Sequence, residues 1–140
     1  MPLAKILVDS SFLYALFDHD DAKHQEAVDW AKQQDFQLVV PQVVLGEVMF
    51  LLDRNGGVPA TLQFLDRFTS ANYLLESVTM PDLQRVREIR ATYASSRLDF
   101  VDCCIMVLSE RVEITQICTF DRRDFAIFRP RHCDYLELLP

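Results

Sequence analysis

AKILVDSSFLYALF, residues 4–17, decides the class of fold. Ala4 to Val8 is a short apolar run ending at Asp9, the composition of a central strand buried on both faces. Ser10 and Ser11 open a helix through Phe17, and a polar corner at His19-Asp20-Asp21 separates it from a second helical stretch in which Ala27, Trp30 and Ala31 share a face. Strand, acid, hydroxyls and helix in immediate succession are the start of a βαβ unit.

The same alternation continues outward. Gln37 to Val40 reads as a strand closed by Pro41, followed by a helix over about 42–54 that ends at Asn55-Gly56-Gly57, a left-handed stop signal. The next helix begins near Pro59, with Leu62, Phe64, Leu65 and Phe68 at helical spacing, and Tyr73 to Val78 returns to strand composition. A helix from Pro81, one over Asp99 to Arg111, a strand over Ile114 to Phe120 and a terminal strand over Tyr135 to Leu139 complete the chain. Strands alternating with helices predict a three-layer α/β/α domain with a central, mainly parallel sheet. At 140 residues one domain over 1–140 is expected.

Composition narrows the function. Only 3 Gly are present, which disfavours Gly-rich phosphate loops. Twenty-one acids against 14 bases leave a net charge of −7, so long-range attraction to nucleic acid or anionic membrane is unfavourable. Lys5 and Asp9 interrupt the apolar start, and the other apolar runs fall short of a bilayer span. No membrane association and a cytoplasmic location are expected. Cys103, Cys104, Cys118 and Cys133 form no CxxC pair and read as reduced thiols; structural zinc is disfavoured. His19, His24 and His132 are expected at the surface, and Arg85, Arg87, Arg90 and Arg97 on a solvated face.

Ligands of an open parallel sheet bind at the carboxyl ends of its strands. Asp9 and Asp121 each end a strand there, and Asp102 lies in the first turn of a following helix, so topology brings three carboxylates to one edge. Glu47 sits among apolar neighbours in Val43 to Leu52, where an ionised carboxylate calls for compensation. A hard divalent cation, Mg²⁺ or Mn²⁺, meets that need with oxygen ligands. Simpler roles compete: Asp9 as a helix cap, Asp99 and Asp102 as a cap and a first-turn acid, Glu47 in a buried ion pair. Capping is preferred for Asp99 and a surface ion pair for Asp124. Ser10 and Ser11 are placed to bind a phosphate, a water or the helix start, and Arg122, next to Asp121, is a candidate contact to a substrate backbone.

Four fragments in this order carry a family likeness: Val8-Asp9-Ser10-Ser11, Gly46-Glu47-Val48, Phe100-Val101-Asp102 and Thr119-Phe120-Asp121-Arg122-Arg123-Asp124-Phe125. The chain resembles the PIN-domain ribonucleases and, among them, the VapC-like toxins of toxin–antitoxin pairs. The resemblance implies a metal-dependent nuclease whose four acids fall on Asp9, Glu47, Asp102 and Asp121, with Ser10 or Ser11 at its hydroxyl position. It also implies RNA as substrate, a small antitoxin and a second copy of the chain as partners, and phosphodiester hydrolysis assisted by one or two ions. The alternatives are a catalytically inactive PIN-like interaction module and, behind it, a phosphotransfer domain. Asp99, Asp124 and Cys103-Cys104 depart from the family pattern.

Overall fold

The computed structural model describes residues 3–33 and 35–140. Its strands are β1 (Ala4–Val8), β2 (Phe36–Pro41), β3 (Leu74–Glu76), β4 (Gln116–Cys118) and β5 (Glu137–Leu139). Its helices are α1 (Ser10–Phe17), α2 (His24–Gln33), α3 (Val43–Ser70), α4 (Met80–Thr92), α5 (Phe100–Arg111) and α6 (Arg123–Ile127), with a 3₁₀ turn at Ala94–Ser96. All strand pairings are parallel, in the order β3-β2-β1-β4-β5.

That order creates the site. The chain runs outward from β1 through β2 to β3, then returns past β1 to lay down β4 on its other side. The crevice beyond the carboxyl ends of β1 and β4 is therefore the topological switch point. Val8 pairs with Cys118, and the Asp9 N–H donates to the Cys118 carbonyl at 3.1 Å, so both strands end at one level. Right-handed crossovers put α1, α2 and α3 on one face of the sheet and α4 and α5 on the other, and each set packs within itself. Ile6, Leu7, Val8, Ile117 and Cys118 are buried between these layers, as expected of central strands.

The outer strands are shorter than their β-type composition. Tyr73–Val78, Ile114–Phe120 and Tyr135–Leu139 contract to paired segments of three residues each. Pro41 closes β2 as expected. The predicted stop at Asn55-Gly56-Gly57 becomes a kink within α3: Gly57 alone leaves helical geometry, with φ +68° and ψ −167°. A side chain is strained at that φ, hence glycine. Pro59 lies two residues on, in the first turn of the second half, where its missing N–H costs little.

Two side-chain expectations need correction. Arg85 is not a solvated residue: it makes a bidentate pair with Glu110 at 2.9 and 3.0 Å, bolting α4 to α5. His132 is half-buried, its Nε2 2.8 Å from the Ile114 carbonyl, and His24 is also half-buried, with Nδ1 2.7 Å from the Ala15 carbonyl. The cysteines are free, and burial pushes Cys103 and Cys104 up to about 11, so these thiols are protonated at neutral pH.

Candidate active site

A cavity of about 480 Å³ opens at the switch point, and Asp9, Glu47, Asp102 and Asp121 all line it, with Ser10 and Ser11. Asp21, Asp99 and Asp124 bring its acids to seven, against one cation, Lys23. Arg122 is absent from this lining; its guanidinium donates instead to the Pro140 carbonyl. The expectation that Arg122 contacts substrate is therefore not supported by its position. A terminal carbonyl beside β4 captures it.

Asp9 is the deepest of the acids, 3% exposed. It serves two ends at once. One oxygen caps α1, accepting from the Phe12 N–H at 3.1 Å and from Ser11 Oγ at 2.7 Å, and the other accepts from Thr119 Oγ1. Ser11 Oγ in turn accepts from the Phe120 N–H at 3.0 Å. Burial pushes the Asp9 carboxyl up to about 6; the hydrogen bonds from Thr119, Ser11 and Phe12 oppose that rise, and the charge of Asp121 adds to it.

Thr119 is a residue that sequence reasoning missed as an individual. It is fully buried, and its hydroxyl also accepts from the Asp121 N–H at 2.9 Å, tying the ends of β1 and β4 together. Thr119→Val is expected to cost roughly 1–3 kcal/mol, because it removes a donor to Asp9 and leaves the Asp121 N–H facing a methyl group. Thr119→Ser should retain most of the wild-type stability. Urea unfolding of the three proteins checks this, and equal midpoints for Val and Thr would contradict it.

Asp102 occupies the first turn of α5, behind the N-cap Asp99, whose carboxylate accepts from the Asp102 N–H at 3.2 Å. The preferred role of Asp99 as a cap is thus observed. Asp124 departs from the surface ion pair expected of it. It pairs with Arg123 at 2.7 Å, yet it is 7% exposed, and it accepts from the Asp99 N–H at 2.9 Å while hydrogen-bonding the carboxyl of Asp102. Asp102 is pushed up to about 8, by burial first, then by the bond to Asp124 and the charges of Asp99, Asp124 and Asp9. The carboxyl of Asp102 therefore favours its protonated form at neutral pH.

Glu47 reaches the cavity for a different reason from the one its neighbours suggest. Val44, Val48 and Leu52 form the buried stripe of this part of α3, and Glu47 lies on the exposed side, where Oε2 accepts from Ser10 Oγ at 2.9 Å. Phe50, apolar but 63% exposed, shows how composition misleads there. Asp121 is exposed at the cavity mouth.

The ligand atoms on offer are oxygens: among the described residues that line the cavity there is no His or Cys. Hard oxygens in excess of local cations fit a hard divalent ion, and the crowding of acids that raises Asp102 shows that positive charge is needed there. The four predicted acids are spread around the cavity rather than clenched. Among the described residues, the ligand atoms that all fall within 4.8 Å of one another belong to Asp18, His19 and Asp20. That trio lines a neighbouring cavity of about 630 Å³, which shares Tyr14, Asp21 and Leu51 with the first but contains none of the four acids.

Comparison with known proteins identifies the family and the fold. Ribonuclease VapC26 of Mycobacterium tuberculosis (strain ATCC 25618 / H37Rv) is 27% identical over 125 residues, 89% of this chain and 93% of that protein. The crystal structure of Mycobacterium tuberculosis VapC20, a sarcin-ricin loop cleaving toxin, matches with a TM-score of 0.75 at 26% identity, over 84% of this chain and 90% of that one. A toxin–antitoxin complex from Klebsiella pneumoniae shares the fold, with a TM-score of 0.66 at 19% identity over 88% and 92% of the two chains. The PIN domain profile matches residues 6–129, a span that includes all four predicted acids, and the chain belongs to the PIN domain family.

Proposed function

We propose that the protein is a metal-dependent endoribonuclease and the toxin of a type II toxin–antitoxin pair, acting in the cytoplasm. The observation that carries this reading is the meeting of Asp9, Glu47, Asp102 and Asp121 in one cavity at the switch point of a PIN sheet. The likeness to a ribonuclease and to a sarcin-ricin loop cleaving toxin supports the chemistry, and RNA is the substrate proposed. A small antitoxin and a second copy of the chain are the partners proposed. No described helix is long and apolar enough to cross a membrane.

In this proposal Asp9, Glu47, Asp102 and Asp121 hold one or two Mg²⁺ or Mn²⁺ ions. A bound divalent ion supplies a Lewis acid for the phosphate and lowers the pKa of water that attacks it. The protein's part is positioning. Thr119, Ser11 and the Phe12 N–H lock both oxygens of Asp9, and Ser10 holds Glu47 toward the cavity. Asp99, which caps α5 and accepts from the Asp102 N–H, fixes the first turn that carries Asp102 toward the cavity. Among the described residues that line the cavity, seven acids, most of them ionised, stand against one ammonium and would repel an RNA phosphate on their own, so substrate and cation binding are coupled.

The test is cleavage of single-stranded RNA by the purified full chain, with Mn²⁺ or Mg²⁺, with chelator, and with Asp9→Asn. Cleavage is expected only for the unmodified chain with metal. Cleavage that persists in chelator or in Asp9→Asn would discard the assignment, and a folded wild-type chain that neither binds the ions nor cuts RNA would point to an interaction module.

A further inference from the structure

With Arg122 turned to the Pro140 carbonyl, Lys23 is the one basic side chain among the described residues that line the acidic cavity. Its backbone is fixed just ahead of α2: the Lys23 N–H donates to Asp21 Oδ2 at 3.0 Å, and its carbonyl accepts from the Ala27 N–H at 3.0 Å. His24, the next residue, is tied to the Ala15 carbonyl of α1, the helix whose first turn carries Ser10 and Ser11. The ammonium group, by contrast, is loosely held. It lies 3.5 Å from Glu26 in a pair exposed on both sides, an arrangement that contributes little, and 5.6 Å from the centre of the Phe120 ring. Lys23 and Phe120 both line the cavity, and the Lys23 side chain is more than half exposed, so its charge stands at the cavity lip.

We infer that Lys23 binds a backbone phosphate of single-stranded RNA adjacent to the phosphodiester that is cut. The inference rests on the nuclease reading above. A phosphate at the acids needs a metal ion to neutralise them, whereas one at the lip meets a side-chain cation free to leave Glu26. A lysine is a point charge on a flexible stem and reads charge, not base identity, so its contribution is equal for RNAs of different sequence.

The experiment compares Lys23→Gln and Lys23→Arg with the unmodified chain. Steady-state cleavage with Mn²⁺ gives KM and kcat; anisotropy of a labelled RNA oligonucleotide, measured across salt concentrations in an Asp102→Asn background that blocks turnover, gives binding. Lys23→Gln should raise KM and weaken binding about fivefold at 0.1 M salt, and lower the slope of log affinity against log salt by about 0.7, the value of one single-strand phosphate contact. Its kcat and Mn²⁺ affinity should stay within twofold, and Lys23→Arg should restore affinity. Unchanged KM and salt slope in a chain that cleaves RNA would overturn the role of Lys23 alone, as would a loss confined to kcat or to Mn²⁺ affinity. A wild-type chain that fails to cleave RNA with metal would overturn the nuclease reading and this inference together.

Discussion

Asp102→Asn is expected to lower metal-dependent RNA cleavage by roughly 10²- to 10³-fold, the scale of losing one preorganised electrostatic group, because it takes a charged oxygen donor from the proposed ion site. The same substitution should stabilise the metal-free protein. Asp102 is pushed up to about 8 by burial, by its bond to Asp124 and by the surrounding carboxylates, so ionising it above that pH sets two adjacent charges against each other. An amide at 102 donates to Asp124 as the protonated acid does, without the charge. In chelator at pH 8.5 the melting temperature should rise by roughly 4 °C, a figure discounted for the partial exposure of the site. Below about pH 4, where Asp102 carries its proton in the folded and unfolded chains alike, the two proteins should melt together. A variant that loses activity and also melts lower at pH 8.5 would mean that Asp102 is a structural residue.

The second large effect is the pH dependence of stability and its reversal by metal. Asp9 and Asp102 have folded pKa values near 6 and 8, both above the ordinary 3.8 of an aspartate. Below about pH 4 each is protonated in folded and unfolded chains alike and has no effect. Between pH 4 and 8 the folded chain retains protons that the unfolded chain releases, so stability falls as pH rises through that window. Asp82 and Glu110 are shifted the other way, held low by hydrogen bonds and by the charges of Arg111 and Arg85 against the opposing effect of burial. Their contribution is present above the ordinary carboxylate range and fades only as pH falls through their lowered values. The metal-free protein should therefore be most stable near pH 4 and lose stability steadily toward pH 8. Saturating Mn²⁺ should remove most of that decline, because the ion replaces the protons. At a hundred times the dissociation constant it contributes about 2.7 kcal/mol, on the order of 8 °C for a chain of this size. Calorimetry at pH 5.5 and 8.0 with and without Mn²⁺ reads this directly. An equal metal shift at both pH values, or a pH-independent melting temperature in chelator, would contradict the proposed site.

Much of the site was legible because its acids occupy positions that local pattern defines. Asp9 follows an apolar run of strand length, Asp102 follows its cap by three residues, and Asp121 follows the last long β-type segment. Glu47 was placed correctly on mistaken grounds. An apolar neighbourhood in sequence does not reveal which side of α3 is covered, and the buried stripe at Val44, Val48 and Leu52 leaves Glu47 facing the cavity. Asp124 lies in a five-residue helix, too short to display a period, and its burial is created by the start of α5 at Asp99, 25 residues away. Lys23 sits in the corner between two helices, where nothing in the local pattern points to a cavity.

By itself the sequence determined the alternation of strands and helices, the parallel sheet and the acids at its carboxyl edge, because periodicity, caps and strand-ending residues act over a few neighbours. Only the tertiary structure decided how those acids are held and what surrounds them. Thr119 meets Asp9 across 110 residues of chain, Arg122 is drawn to Pro140, and Lys23 is left as the lone cation lining the described cavity. Burial, protonation and charge balance depend on which distant segments fold against one another, and that is a property of the packed sheet and not of any single stretch.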